Sequence, residues 1–314
     1  MRRLVVHGGA GRISPEHGST ALEGLRGALE AGWSEIDDAT EAVVAAVRWM
    51  EGSEHFNCGR GAVLNLQGRA ELDAALVTGQ RKAGAVSNLS WTSHAIEVAR
   101  KVMEETPHVL LCGRGADRFA KAMGFPRERI GLPARRKLYT ELREELLDGR
   151  GSRGRWSDGR PSHHPAWWTP LQKLVKQHPE LLHGTVGAVA VDRRGRIAAA
   201  TSTGGIFLRM EGRVSDSSLV GCGTYADPDL AVSVTGIGEV IIRHTFARTL
   251  AELYRTHGRD PQAASQTAVR GMPRDSVGVI ALDRKGRFGV AKNTSHLAHG
   301  TRTDGSSSVR VGLC

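Results

Sequence analysis

Four cysteines are all that this 314-residue chain contains, and Cys58, Cys112, Cys222 and Cys314 lie far apart with no C-x-x-C pair among them. Neither a zinc site nor a disulfide framework is therefore indicated, and a reducing cytoplasm is the expected setting. No apolar run approaches the length of a membrane span. The opening Met1-Arg2-Arg3-Leu4-Val5-Val6-His7 reads as a buried strand, too short for a secretory h-region and without a cleavage site. Nucleotide loops are missing too: His7-Gly8-Gly9-Ala10-Gly11 fits neither G-x-G-x-x-G nor G-x-x-x-x-G-K-[ST], and Thr235-Gly236-Ile237-Gly238-Glu239 lacks the third glycine and the lysine. No G-x-S-x-G elbow nominates a serine for a Ser-His-Asp triad.

What is present is enough for one large core, with 40% hydrophobic and 24% charged residues. The formal net charge of +10 raises the question of nucleic acid, but arginine concentrates around Gly149-Arg150-Gly151-Ser152-Arg153-Gly154-Arg155, near Trp156, Trp167 and Trp168. Charge and glycine together oppose packing, so this text reads as a solvated linker, and neither nucleic acid nor membrane is expected as a partner. Residues 149–184 lose apolar periodicity altogether, with at most a short helix at 171–177. Ile36, Ala39, Val43, Val44, Val47 and Met50 recur at helical spacing behind Asp37 and Asp38, which predicts a helix over 35–51. Further helices are expected at 94–104 and 239–255. Three segments, 62–73, 186–202 and 277–292, each place a glycine-bearing turn between apolar runs and read as β-hairpins. Helices covering both sides of a mainly antiparallel double sheet are the architecture expected.

The informative break is His183-Gly184-Thr185-Val186-Gly187-Ala188-Val189, where linker text ends in a buried strand whose first residue carries a hydroxyl. Thr185 reads either as a β-branched strand starter or as a nucleophile. Cleavage of the Gly184-Thr185 bond would put a free α-amine, with a pKa near roughly 8, beside that hydroxyl, so one residue would supply nucleophile and general base.

With those residues stand six more blocks in order: His7-Gly8-Gly9-Ala10-Gly11, Phe56-Asn57-Cys58-Gly59-Arg60-Gly61-Ala62-Val63, Glu71-Leu72-Asp73-Ala74, Ala200-Thr201-Ser202-Thr203-Gly204-Gly205, Gly212-Arg213-Val214 and Thr235-Gly236-Ile237-Gly238-Glu239. Over nearly its whole length the chain thus resembles the plant-type asparaginase and isoaspartyl peptidase family of N-terminal-nucleophile hydrolases. The resemblance implies an α+β, four-layer αββα sandwich forming one structural domain. It implies autocleavage into an α subunit of 1–184, with a mobile linker over about 134–184, and a β subunit of 185–314, paired as a dimer of αβ heterodimers. It implies Thr185 as nucleophile, Thr203 as the threonine that tunes it, Asn57 as an orienting group, and Thr235 with Gly236 as the oxyanion hole. Arg213 would bind the substrate α-carboxylate and Asp216 the α-ammonium, with Thr235, Gly236 and Gly238 lining the same pocket. No redox or organic cofactor is required. A structural sodium ion is implied on the backbone carbonyls of Met50, Glu51, Ser53, Phe56, Cys58 and Arg60.

The reaction so implied is hydrolysis of L-asparagine or β-aspartyl dipeptides through a β-aspartyl ester on Thr185. Glycosylasparaginase is the alternative enzyme, and an inactive relative whose linker binds a partner is the alternative of another class. Ser215-Asp216-Ser217-Ser218 replaces the family's usual Gly-Asp-Ser-Pro, Ile237 and Arg60 stand where other residue types are usual, and Asn293-Thr294-Ser295-His296 matches only in part. These departures bear on the substrate pocket.

Overall fold

A computed structural model describes residues 1–11, 15–148, 184–256, 258–305 and 310–313. β1 (Arg3–Gly11) leads to α1 (Pro15–Ser34), α2 (Ala39–Gly52), β2 (Leu72–Thr78), β3 (Ala83–Leu89), α3 (Ala95–Glu105), β4 (Leu110–Cys112), α4 (Gly113–Ala122) and α5 (Pro133–Asp148). From 184 onward come β5 (Val186–Val191), β6 (Ile197–Thr203), β7 (Thr224–Ala226), β8 (Leu230–Gly236), α6 (Gly238–Arg243), α7 (Phe246–Thr256), α8 (Pro261–Arg270), β9 (Val277–Asp283), β10 (Phe288–Lys292), β11 (His296–Thr303) and β12 (Arg310–Leu313). One sheet has the order β12-β11-β1-β5-β6-β2-β3-β4 and the other β10-β9-β8-β7. Pairing is antiparallel throughout except between β3 and β4.

The two-residue period of the strands sorts their side chains. Leu4, Val6, Ala188, Ala190, Ala198 and Ala200 pack with Leu25, Leu29, Val43, Val47, Ile96 and Val102 of α1, α2 and α3. The intervening Val5, Val189, Val191, Ile197 and Ala199 point the other way and meet Ala231, Ile280 and Leu282 of the smaller sheet. That sheet turns Leu230, Val232, Val234, Val277 and Val279 outward onto Phe246, Leu250, Tyr254 and Ala264 of α7 and α8. Both faces of each central strand are thus covered, which is why their text is almost continuously apolar.

Several expectations are corrected. α2 starts at Ala39 because Asp38 accepts hydrogen bonds from the amides of Thr40 and Glu41 and so caps the helix, four residues inside the predicted span. The 239–255 segment is two helices, α6 and α7, separated at His244-Thr245, where Thr245 takes φ 42°. Residues 186–202 and 277–292 form the expected hairpins. Residues 62–73 do not: Asn65 and Arg69 close a turn, but only β2 follows, and it pairs with β3 and β6. The linker expected over 134–184 is helical at its start, as α5, and the 171–177 helix lies outside the described residues.

Candidate active site

Strand register gathers the hydroxyls. β5 and β6 pair Val186 with Ser202, so the next step along the ladder sets Thr185 against Thr203, and β2 pairs Asp73 with Thr203 on the other side. Thr185, Thr201, Thr203, Ser233 and Thr235 share the parity of the residues that face between the sheets. They continue that layer beyond the end of its apolar cluster, so polar groups occupy the layer where hydrocarbon stops.

Thr185 is 7% exposed, and its Oγ1 donates to Thr203 Oγ1 at 3.2 Å. Thr203 Oγ1 also accepts from the Gly205 amide at 3.0 Å. Asn57 braces the same turn: its Nδ2 donates to the Gly205 carbonyl at 2.7 Å, its Oδ1 accepts from the Val63 amide at 3.0 Å, and its carbonyl accepts from the Gly204 amide at 2.8 Å. The peptide preceding Thr185 presses on this group, since a Cβ at Gly184 would lie 2.3 Å from Asn57 Cβ. Gly9 of β1 closes the other side, where an added Cβ would lie 3.2 Å from Gly184 Cα. The adjacent Ala10 amide donates to Thr235 Oγ1 at 3.3 Å, which ties Thr235 to the strand that abuts Thr185. Because that oxygen already accepts, the hydroxyl proton of Thr235 is available to another acceptor. Gly236 is held to glycine by the Ser276 carbonyl, 2.1 Å from where a Cβ would stand.

Arg213 and Asp216 converge a turn away. A Cβ on Gly238 would lie 2.5 Å from an Arg213 terminal nitrogen, Nη2, and 2.9 Å from Asp216 Oδ1, so only glycine leaves both groups open. Asp216 is 3% exposed and its Oδ2 has no hydrogen-bond partner among the described residues. Burial raises its pKa to about 7, although the Arg213 charge pulls in the opposite direction. Arg213 donates through Nε to Glu239 Oε1 at 2.8 Å. Burial alone would lower the guanidinium pKa, but Glu239, Asp73 and Asp216 together more than offset this and raise it.

The structure therefore brings together Thr185, Thr203, Asn57 and Gly184 in one contact network, and Arg213, Asp216 and Gly238 in a second. It also supplies groups to which sequence reasoning assigned no role. The Asp73 carboxylate joins the two networks: it sits on the partner of Thr203 and accepts from the Ser215 and Asn88 amides, each at 2.8 Å. Arg209, 2% exposed, lies between Glu71 and Asp73 and packs its guanidinium on Gly205, where a Cβ would fall 1.9 Å from Nη1. One step behind the threonines, His7 Nε2 and Thr201 Oγ1 each lie 2.8 Å from Ser233 Oγ. Burial drives the His7 pKa down to about 3, so the imidazole is neutral. The detectable signal for this row was the spacing of two between Thr201 and Thr203 and between Ser233 and Thr235. Asn293 serves the framework, its Oδ1 accepting from Ser276 and Val277 at 3.0 Å.

The loop proposed for a cation is curled on its own carbonyls. Cβ atoms on Gly59 and Gly61 would fall 2.3 Å from the Glu51 oxygen and 2.2 Å from the Phe56 oxygen, and Met50 and Cys58 carbonyls accept from Ser53 and Gly61. The Glu51 side chain turns away to Ser202 Oγ at 2.6 Å and the Ile96 amide at 3.0 Å. Burial raises its pKa to about 8, leaving neutral main-chain oxygens as this loop's donors, a set suited to a hard cation.

Comparison with known proteins fits this geometry. The family model described as Asparaginase matches residues 1–311. The chain is 41% identical over 321 aligned positions to a plant-type L-asparaginase of Pyrococcus abyssi and 42% identical to that of Pyrococcus furiosus, with all of both chains covered in each case. It is 39% identical to an isoaspartyl peptidase/L-asparaginase of Danio rerio, across 91% of this chain and 87% of the relative. The chain belongs to the asparaginase family.

Proposed function

We propose that this protein is an amidohydrolase that cuts its own chain between Gly184 and Thr185 and then hydrolyses L-asparagine, β-aspartyl dipeptides, or both. The observation that carries the reading is the buried Thr185 hydroxyl set on Thr203 Oγ1 at 3.2 Å, directly after a glycine packed against Asn57. In this reading the new α-amine of Thr185 takes the proton from its own hydroxyl, and Oγ1 attacks the side-chain amide carbon. The oxyanion is met by the free proton of Thr235 and the Gly236 N–H, donors worth about 3–4 kcal/mol each where they are preorganised. Collapse breaks the C–N bond, the leaving nitrogen takes the proton, and water then hydrolyses the β-aspartyl ester to release aspartate. Arg213 holds the α-carboxylate with two-pronged geometry, and Asp216 holds the α-ammonium.

The two sheets with helices on their outer faces are read as the four-layer αββα sandwich of N-terminal-nucleophile hydrolases. The mature enzyme is then an α chain of 1–184 with a β chain of 185–314, paired as a dimer of heterodimers and cytoplasmic. Carbonyls of Met50, Glu51, Ser53, Phe56, Cys58 and Arg60 would hold sodium, whose work is to stiffen the loop that carries Asn57. No redox or organic cofactor takes part. Intact mass under denaturing conditions tests the reading. Wild type incubated at neutral pH yields two fragments joining at Gly184-Thr185 and gains asparaginase activity, while Thr185→Ala stays whole. A wild type that stays whole and inactive refutes it.

A further inference from the structure

Three charged groups meet around Gly238, and the mechanism above uses only two of them. Glu239 is the third. Its side chain is 47% exposed while that of Arg213 is 14% exposed, so their ion pair runs from the rim of the pocket inward. The carboxylate takes Nε of the guanidinium at 2.8 Å. Inside this pair, Nη2 of Arg213 and Oδ2 of Asp216 are buried and without hydrogen-bond partners among the described residues. A donor and an acceptor left open together are costly in a folded core unless something fills them; Nη2 borders the Cβ-free space at Gly238 beside the other Asp216 oxygen, Oδ1, while Oδ2 lies against Gly223.

Charge decides what can fill them. Arg213 alone would attract any carboxylate, but Glu239 already neutralises much of that attraction. Counting Arg213, Glu239 and an ionised Asp216 together, the pocket carries one positive and two negative charges. A zwitterion returns a cation to Asp216 while its carboxylate meets Nη2. A ligand with a carboxylate and no ammonium adds a third negative charge to a confined, low-dielectric space.

We propose that Glu239 is a positioning residue that determines specificity: by occupying Nε of Arg213 and cancelling its charge, it makes binding depend on an α-ammonium at Asp216 as well as an α-carboxylate at Arg213, and so excludes simple dicarboxylic monoamides. Exclusion by an adverse charge is a general route to selectivity. The inference rests on the reading of Arg213 and Asp216 as the carboxylate and ammonium partners. The charged and titratable groups that face Asp216 are Arg213, Glu239, Asp73 and the Cys222 thiol, with Arg209 behind Arg213. Burial acts most strongly on Asp216, followed by Arg213 and a backbone hydrogen bond that both lower its pKa; Glu239 then pushes it upward.

The test compares L-asparagine with succinamate, which has the same amide and carboxylate but no α-amine. Wild type, Glu239→Gln and Glu239→Ala are first shown by mass to have cut at Gly184-Thr185. The ratio of kcat/KM for the two substrates is then followed from about pH 5.5 to about 8.5; both use the same nucleophile, so the titration of the Thr185 amine cancels in the ratio. Glutamine keeps a hydrogen-bond acceptor for Arg213 and removes the charge. The preference of Glu239→Gln for asparagine should fall at least about tenfold, chiefly through a gain on succinamate, and the pH at which the preference is half lost should move down. Glu239→Ala should also raise KM for asparagine. An unchanged ratio and midpoint in a processed, active Glu239→Gln overturns the inference alone, as does a Glu239→Gln protein that no longer folds or cuts while wild type does. A wild type that hydrolyses neither of these substrates nor a β-aspartyl dipeptide overturns the amidase reading and this inference with it.

Discussion

Replacing Thr203 with valine isolates the hydroxyl that the site is built around. The two side chains have nearly the same shape and both suit a strand, and position 203 is 2% exposed, so the backbone has little reason to move. What disappears is one acceptor serving two donors, Thr185 Oγ1 at 3.2 Å and the Gly205 amide at 3.0 Å. Each hydrogen bond lost without replacement costs about 1–1.5 kcal/mol, so the pair amounts to roughly 2–3 kcal/mol. If that whole sum falls on the orientation of Thr185, the rate drops roughly 30- to 150-fold at about 1.4 kcal/mol per factor of ten. Two assays read it: the time course of cutting at Gly184-Thr185 by denaturing mass measurement, and kcat/KM for L-asparagine on protein that has cut. Thr203→Ser retains the acceptor and should stay within about fivefold of wild type on both counts. A valine variant that cuts and hydrolyses within about threefold of wild type would refute the idea that Thr203 Oγ1 holds the nucleophile.

The buried Asp216 makes a prediction with a definite sign. Its pKa is about 7 in the folded protein against an ordinary 3.8, so the folded state keeps the proton longer, and stability falls as pH rises between those values. Asp216→Asn, which cannot ionise, should melt at a higher temperature than wild type at pH about 8, with on the order of 4 kcal/mol as the upper bound from the shift, and should lose measurable affinity for asparagine. A melting temperature lower than wild type at that pH would contradict the burial argument. Gly184→Ala places a Cβ 2.3 Å from Asn57 Cβ, well inside the ~3.5–4 Å of normal carbon contact, so the scissile peptide or Asn57 must move. Cutting should slow at least about fivefold, as overpacking of about 1–3 kcal/mol implies, and a wild-type time course would count against the contact.

Much of the fold was readable because the sequence carries period and punctuation. The hairpins at 186–202 and 277–292 announced themselves through apolar runs broken by Asp-Arg-Arg-Gly and Asp-Arg-Lys-Gly, and Asp192 and Asp283 do close those turns by accepting from the amides two and four residues on. The same signal misled at 62–73. There Asn65 Oδ1 closes a similar turn by accepting from Gln67 and Arg69, but the preceding Ala62-Val63-Leu64 finds no sheet edge, because Leu64 bonds through its carbonyl to Leu208 instead. A local pattern specifies a turn; whether a strand forms beside it depends on a neighbour that can lie as far along the chain as Leu208 does from Leu64.

The candidate site divides along the same line. Thr185, Thr203, Arg213, Asp216 and Thr235 could be named from ordered text and a family resemblance, since their chemistry is carried by residue type at fixed spacing. Arg209, Asp73, Glu239 and the row of His7, Ser233 and Thr201 could not, because what gives them a role is enclosure: a guanidinium against Gly205, a carboxylate between two loops, a fully buried imidazole. By itself the sequence determined which strands alternate, where the chain turns, and which hydroxyls and charges exist to be used. Tertiary structure decided which faces meet. By antiparallel register it brought Thr185 opposite Thr203, and by folding one sheet over another it took Asp216 out of water. That burial raises its pKa to about 7, a property of its surroundings that no residue type carries alone.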